Sequence, residues 1–392
     1  MQLTKQEQSM LDGELGEACR QSMEILVALG KIYGAECMIP VASAQVAGVS
    51  YKTIGDAGLE YLQGMAGEGA KVRIPSFLNP AGMDAQQWKE MGVPEKFAQK
   101  QLQVLQAYAK MGIANTCTCT PYLVGIRPKR GEHLAWSESS AISFANSVLG
   151  ARTNREGGPS ALAAAICGVT PNYGLHLEEN RVSNLLIHVE AELKTSADFG
   201  ALGAFAGEIA KSRNPAFSGI KAGSQDRLKC LGASMAASGS VALYFAEGIT
   251  PEWNLADSPE RADFSAQDLK NCRERLGLPL KPDLVSIGCP HASLEEIAEV
   301  AALVRGKRLG CQLWVCTARQ TKEKADASGY TAAIEAAGGR VVADTCMVVS
   351  PIEEMGHKAT ATNSGKAAKY LSSLCRQKVV FGDIGDIIFE RI

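Results

Sequence analysis

The last third of the chain alternates short apolar runs with amphipathic stretches. "PDLVSIGCP" (282–290) is apolar up to a Gly-Cys-Pro stop, and "ASLEEIAEVAALVRGK" (292–307) carries apolar residues at helical spacing. "CQLWVCT" (311–317) predicts a second strand, "KEKADASGYTAAIEAAGG" (322–339) a glycine-closed helix, and "RVVADTCMVV" (340–349) a third strand. Strand, helix, strand, helix, strand implies a parallel sheet. Upstream, Thr4 and Glu7 are spaced as a capping box at the start of a helix. "YKTIGDAGLEYL" (51–62) predicts a helix, and "KVRIPSFLNPAGMD" (71–84) a strand and polar loop. Small residues recur in 200–210 and 231–248, as close packing of helices requires.

The pattern also locates thiols. Cys289, Cys316 and Cys346 each fall at or just beyond the C-terminal end of a predicted strand, the edge where open parallel sheets bind ligands. Neighbouring strands lie about 4.8 Å apart, so two such thiols can share one ligand or metal.

The 392 residues suffice for two or three packed units, and 46% hydrophobic with 21% charged residues is a globular balance. A net charge of −2 provides no field for nucleic acid or an anionic membrane. The polar N-terminus is unlike a signal peptide, and no apolar run approaches a membrane span, so the cytoplasm is the expected compartment. Twelve cysteines in a reducing compartment are not a disulfide framework. Cys19, Cys37, Cys167, Cys230, Cys272, Cys311 and Cys375 read as small buried hydrophobes. Cys117, Cys119, Cys289, Cys316 and Cys346 remain to be explained.

Common chemistries drop out. "TNSGKA" (362–367) is no phosphate loop, because Thr360 and Ala367 stand where that motif needs Gly and Ser or Thr. "GEGAKV" (67–72) lacks the third glycine of a dinucleotide fingerprint, and neither H-E-x-x-H nor G-x-S-x-G occurs. What remains is "CTCTPY" (117–122), "GCPHAS" (288–293), "DTCM" (344–347) and a polar segment holding Arg152, Asn154, Arg155, Glu156, Gly157 and Gly158. That segment reads either as a structural salt-bridge loop or as an anion clamp, since Arg forks match carboxylate and phosphate oxygens.

These motifs, with "SYKTIGDAGLEYL", "WSESSAISFANSVLGARTNREGGPS", "GITPE" and "TNSGKAAKY", resemble the large subunit of aconitase X, a branch of the aconitase superfamily, along essentially the whole chain. The resemblance implies an α/β, aconitase-like fold of several subdomains with parallel sheets (1–155, 156–270 and 271–392) and an iron–sulfur site in the cleft between them. It implies a 4Fe–4S cluster held by Cys289, Cys346 and one thiolate of "CTCT", with Cys119 preferred to Cys117 and Cys316 in reserve. Tetrahedral zinc fits the same thiolates. Family activities are dehydration of phosphomevalonate to trans-anhydromevalonate 5-phosphate, in the mevalonate route to isoprenoids, and dehydration of cis-3-hydroxy-L-proline. "NREGGPSALA" (154–163) departs from the hydroxyproline type and favours the first, whereas Gln45 stands where many relatives carry histidine. Arg152, Arg155 and Lys366, helped by Asn154, Glu156, Asn363, Ser364 and the backbone of Gly157 and Gly158, are then expected to hold carboxylate and phosphate. His291 is expected to orient or protonate the leaving hydroxyl, or else to satisfy a loop carbonyl. The general base is expected on a separate small subunit with the swivelling domain, since this chain ends at Ile392 without room for it. A cluster-sensing RNA-binding regulator is the non-enzyme alternative, which the near-neutral charge disfavours.

Overall fold

A computed structural model describes residues 1–221 and 223–390. Three parallel sheets organise it. In the first, Ala44–Val46 lies between Ser76–Leu78 and Ala135–Trp136. Its helices include Lys5–Leu11, which starts on the expected Thr4/Glu7 box, and Tyr51–Gly67, which kinks at Gly55. Helix Gly158–Cys167 packs against this sheet, and Val169–Pro171 pairs with Met38–Pro40. Packing therefore carries the first unit past the expected boundary at residue 155.

The second sheet runs Phe245–Ala246, Pro215–Ser218, Ser183–Val189, Leu255–Phe264. Against it, helices Ser196–Ala210 and Gln225–Gly239 meet as the small residues predict. A Cβ on Gly203 would stand 2.5 Å from the Leu231 carbonyl oxygen, and one on Gly239 1.9 Å from that of Gly207.

The third sheet has the order Gly339–Ala343, Gln312–Thr317, Leu284–Ile287, Ala359–Thr362, Lys378–Phe381, with every pair parallel. Two expectations change here. The helix expected over 322–339 is two helices, Arg319–Ala327 and Tyr330–Ala336, because Gly329 takes a left-handed φ of 74°. The strand expected over 340–349 ends at Ala343, where Asp344 turns left-handed (φ 59°). From Leu284–Ile287 the chain builds first to one side and then to the other. The loops after Leu284–Ile287 and Ala359–Thr362 thus diverge and open a crevice at the sheet's C-terminal edge. Among the described residues, no helix is long and apolar enough to cross a membrane.

Candidate active site

Three loops meet at that crevice. The "CTCT" loop hangs on the end of Ser76–Leu78, where the Thr118 N–H donates to the Leu78 carbonyl (3.0 Å). Gly288 turns the second loop out of its strand at φ 96°; a Cβ there would lie 2.0 Å from the Cys316 carbonyl oxygen, so only glycine fits. The third loop is zipped to the first unit: Ala81 N–H donates to Asp344 (2.8 Å) and Cys346 N–H to Ala81 (3.1 Å).

The result is a cavity of about 230 Å³ lined by Cys119, Cys289, Cys346, Asn79, Glu138 and Lys366, among others. Cys117 points instead into the core of the first unit. Cys316 lies in the core beside Trp314 and Val342, its sulfur 4.0 Å from the Ser286 hydroxyl. Of the five unexplained thiols, three share the cavity.

The Lys366 ammonium is ion-paired to Glu138 and donates to the Ser140 hydroxyl at 3.3 Å. Burial opposes its charge, yet Glu138 and the nearby thiols hold its pKa above the usual lysine range. Burial likewise works against Glu138, but Lys366, Ser140 and the Ala141 N–H, which Glu138 caps at 2.8 Å, hold its pKa below the ordinary value. Burial pushes the Cys119 thiol up, and Lys366 pulls against it. Cys289 donates its thiol hydrogen to Cys346, which brings Cys346 down to about 7 and drives Cys289 well up.

This donor set fits an iron–sulfur cluster, which thiolates hold. The buried ammonium offsets thiolate charge, and backbone N–H groups already point at sulfur: His291 at Cys119 (3.1 Å), Val348 and Val349 at Cys346. Among the described residues no three His, Cys, Asp or Glu side chains converge on one ion; the thiols ring a cavity instead.

The polar segment does not join them. Arg152 pairs with Glu178 and donates to the His176 carbonyl (3.2 Å). Asn154 bonds Tyr173 and Leu175. Glu156 accepts from Ser160 and Thr170, Arg155 and Gly157 are exposed, and Gly158 lies against the Ala47 carbonyl, where a Cβ would stand at 2.7 Å. Arg152, Asn154 and Glu156 thus meet partners within their own neighbourhood, Arg155 faces solvent, and none of the segment lines this cavity. Ser364 caps helix Gly365–Leu374 through the Ala367 N–H, and Asn363 lines a different cavity with Asp226 and Asp383. His291 is fully buried, with both ring nitrogens bonded to protein and its pKa lowered by burial to about 4. It is not placed to protonate a hydroxyl in the cavity.

Two tests follow from these placements. Arg152→Ala should leave the KM for substrate unchanged and cost less than about 1 kcal/mol in unfolding free energy, since its partner Glu178 is largely exposed. Burial raises the Glu156 pKa, so the folded chain binds that proton more tightly than the unfolded chain. This contribution is full below the ordinary glutamate range and is lost as pH rises through the folded value. Glu156→Gln should therefore raise the unfolding midpoint over the parent at alkaline pH, with the gain vanishing below about pH 4.

Sequence reasoning missed Glu138 and Asn79, whose Oδ1 is buried without a donor among the described residues. The signal for Glu138 was an acid immediately before the apolar turn "SSAISF", the place of a helix cap.

Models of the aconitase X first, second and third domains match residues 1–179, 183–274 and 282–392. The chain belongs to the aconitase X family. Among aconitase X relatives, the phosphomevalonate dehydratase large subunit of Methanothermobacter thermautotrophicus is 54% identical over 98% of both chains. The cis-3-hydroxy-L-proline dehydratase of Pseudomonas aeruginosa is 34% identical, matching 97% of this chain but 68% of its own. The crystal structure of Thermococcus kodakaraensis aconitase X in its holo-form superposes with a TM-score of 0.95 at 49% identity, covering all of both chains.

Proposed function

We propose that this chain is the large subunit of a phosphomevalonate dehydratase and that Cys119, Cys289 and Cys346 hold its iron–sulfur cluster. The observation that carries the reading is the meeting of those thiols with the buried Lys366–Glu138 pair in one cavity. The chain in question is 54% identical to an enzyme subunit of that name. A cluster held there by Cys119, Cys289 and Cys346 would supply Lewis acidity to offset the charge of a departing hydroxide.

The chain's own residues do the rest. Lys366 stays an ammonium throughout, and Glu138 fixes its direction, so it is poised for the substrate carboxylate. Asn79 Oδ1 offers a buried acceptor for the C3 hydroxyl or for water. Val348, Val349, Tyr370 and Leu374 give the cavity an apolar wall that excludes water once it is covered. Among the described residues Lys366 is the one cation lining this cavity, and Glu138 already balances it. The phosphate therefore lies toward the mouth, where a small subunit brings its countercharge and the general base. Support comes from the relatives: the coextensive one is named a large subunit, whereas the Pseudomonas hydroxyproline enzyme leaves about a third of its own chain outside the match.

The test is anaerobic purification of the chain with its small subunit, followed by assays on phosphomevalonate and cis-3-hydroxy-L-proline. The complex should dehydrate the first only, and each chain alone should be inactive. Turnover of hydroxyproline with phosphomevalonate untouched would reverse the assignment.

A further inference from the structure

Four polar atoms of His291 are each bonded to a different partner. Its backbone N–H donates to Cys119 Sγ at 3.1 Å, and its carbonyl accepts from Lys229 Nζ at 3.2 Å. In the ring, Nε2 lies 2.9 Å from the Thr345 carbonyl oxygen and Nδ1 3.1 Å from the Thr118 hydroxyl. A carbonyl only accepts, so Nε2 carries the hydrogen and Nδ1 accepts from Thr118. The imidazole is a neutral, directional strut with no spare nitrogen.

The partners come from three separately organised parts of the chain. Thr118 and Cys119 belong to the first unit, Lys229 to helix Gln225–Gly239 of the second, and Thr345 to the third. Lys229 is itself buried and tied to Asp226 (2.8 Å) and Glu296 (2.5 Å), so the strut is anchored at its far end. Thr118 and Thr345 each immediately precede a cavity cysteine, and His291 lies two residues after Cys289. One side chain thus touches the backbone neighbourhood of all three thiols.

We infer that His291 is the positioning residue that sets the mutual placement of Cys119, Cys289 and Cys346, acting through Thr118 and Thr345 rather than on the substrate. This rests on the three-thiol site proposed above. Partners that orient metal ligands are worth roughly 10- to 100-fold in metal retention. His291→Ala, purified anaerobically as the full chain with its small subunit, should lose iron to a chelator at least about 10-fold faster than the parent. Circular dichroism of the metal-free chain should stay near the parent's, with the unfolding midpoint lowered because two buried groups lose their partner. His291→Gln, which can donate to Thr345 and accept from Thr118, should recover most of the loss. If His291→Ala fails to fold, Thr118→Val decides, since it removes the hydroxyl that Nδ1 accepts from and must accelerate iron loss in a folded chain. A parent that holds iron, with variants releasing it at the parent's rate, overturns the positioning role alone. A parent that holds no iron overturns the three-thiol site and this inference together.

Discussion

Serine at position 119, 289 or 346 should each abolish the visible iron–sulfur absorption and bring bound iron close to zero, while Cys117→Ser and Cys316→Ala keep both. The contrast is the informative part, because Cys117 is the alternative to Cys119 and Cys316 shares the strand-end placement of Cys289 and Cys346. Cys117 is buried in the first unit's core and Cys316 within the third sheet, so changing them costs packing alone. A hydroxyl left unpaired at 117 should cost about 1–3 kcal/mol of stability. The other three line the cavity, where an alcohol cannot replace a thiolate as a cluster ligand. Iron per chain and the visible spectrum decide the matter. Loss in Cys117→Ser with retention in Cys119→Ser would exchange the roles of the two neighbours.

Lys366→Met should be the most damaging change that leaves the thiols intact. It strands the Glu138 carboxylate, 6% exposed, without its cation. Breaking a buried pair in this way costs roughly 3–5 kcal/mol, read from denaturant unfolding. Removing a charge that meets substrate costs about 2–5 kcal/mol in kcat/KM, or roughly 30- to 5,000-fold. A second change separates the two effects. Glu138→Gln keeps an acceptor for the Ala141 N–H and has no charge to strand, so the double variant should regain most of the stability and none of the activity. Recovery of both would make the ion pair purely architectural.

Local features of the fold were legible in the sequence because they depend on neighbours. The Thr4/Glu7 box, the alternating C-terminal third and the glycine-lined helix contact all rest on short spacings. The second unit's sheet was not. Its longest strand, Leu255–Phe264, reads "LADSPERADF" and is largely half-exposed, so no apolar period marks it. The two strands after residue 358 escaped for a related reason: "ATAT" is buried but small, and its partner "KVVF" is four residues long. At the site, strand position marked Cys289, Cys316 and Cys346 alike, and the first and last of these line the cavity. The Glu138–Lys366 pair spans 228 residues, a separation that no local pattern encodes. In the arginine-rich segment, charge density reads the same whether Arg152 meets a substrate or Glu178, its partner here.

The way the three thiols are drawn from the chain also fixes when the site can exist. Cys119 belongs to the first domain, but Cys289 and Cys346 belong to the third, synthesised well after it. Cys346, moreover, donates its N–H to the carbonyl of Ala81, more than 250 residues behind it. A growing chain therefore carries one correctly placed sulfur for most of its synthesis and gains the other two only when its ends have docked. If the three thiols hold the metal as proposed, its delivery waits for that docking, and a chain truncated before the third domain should bind no iron.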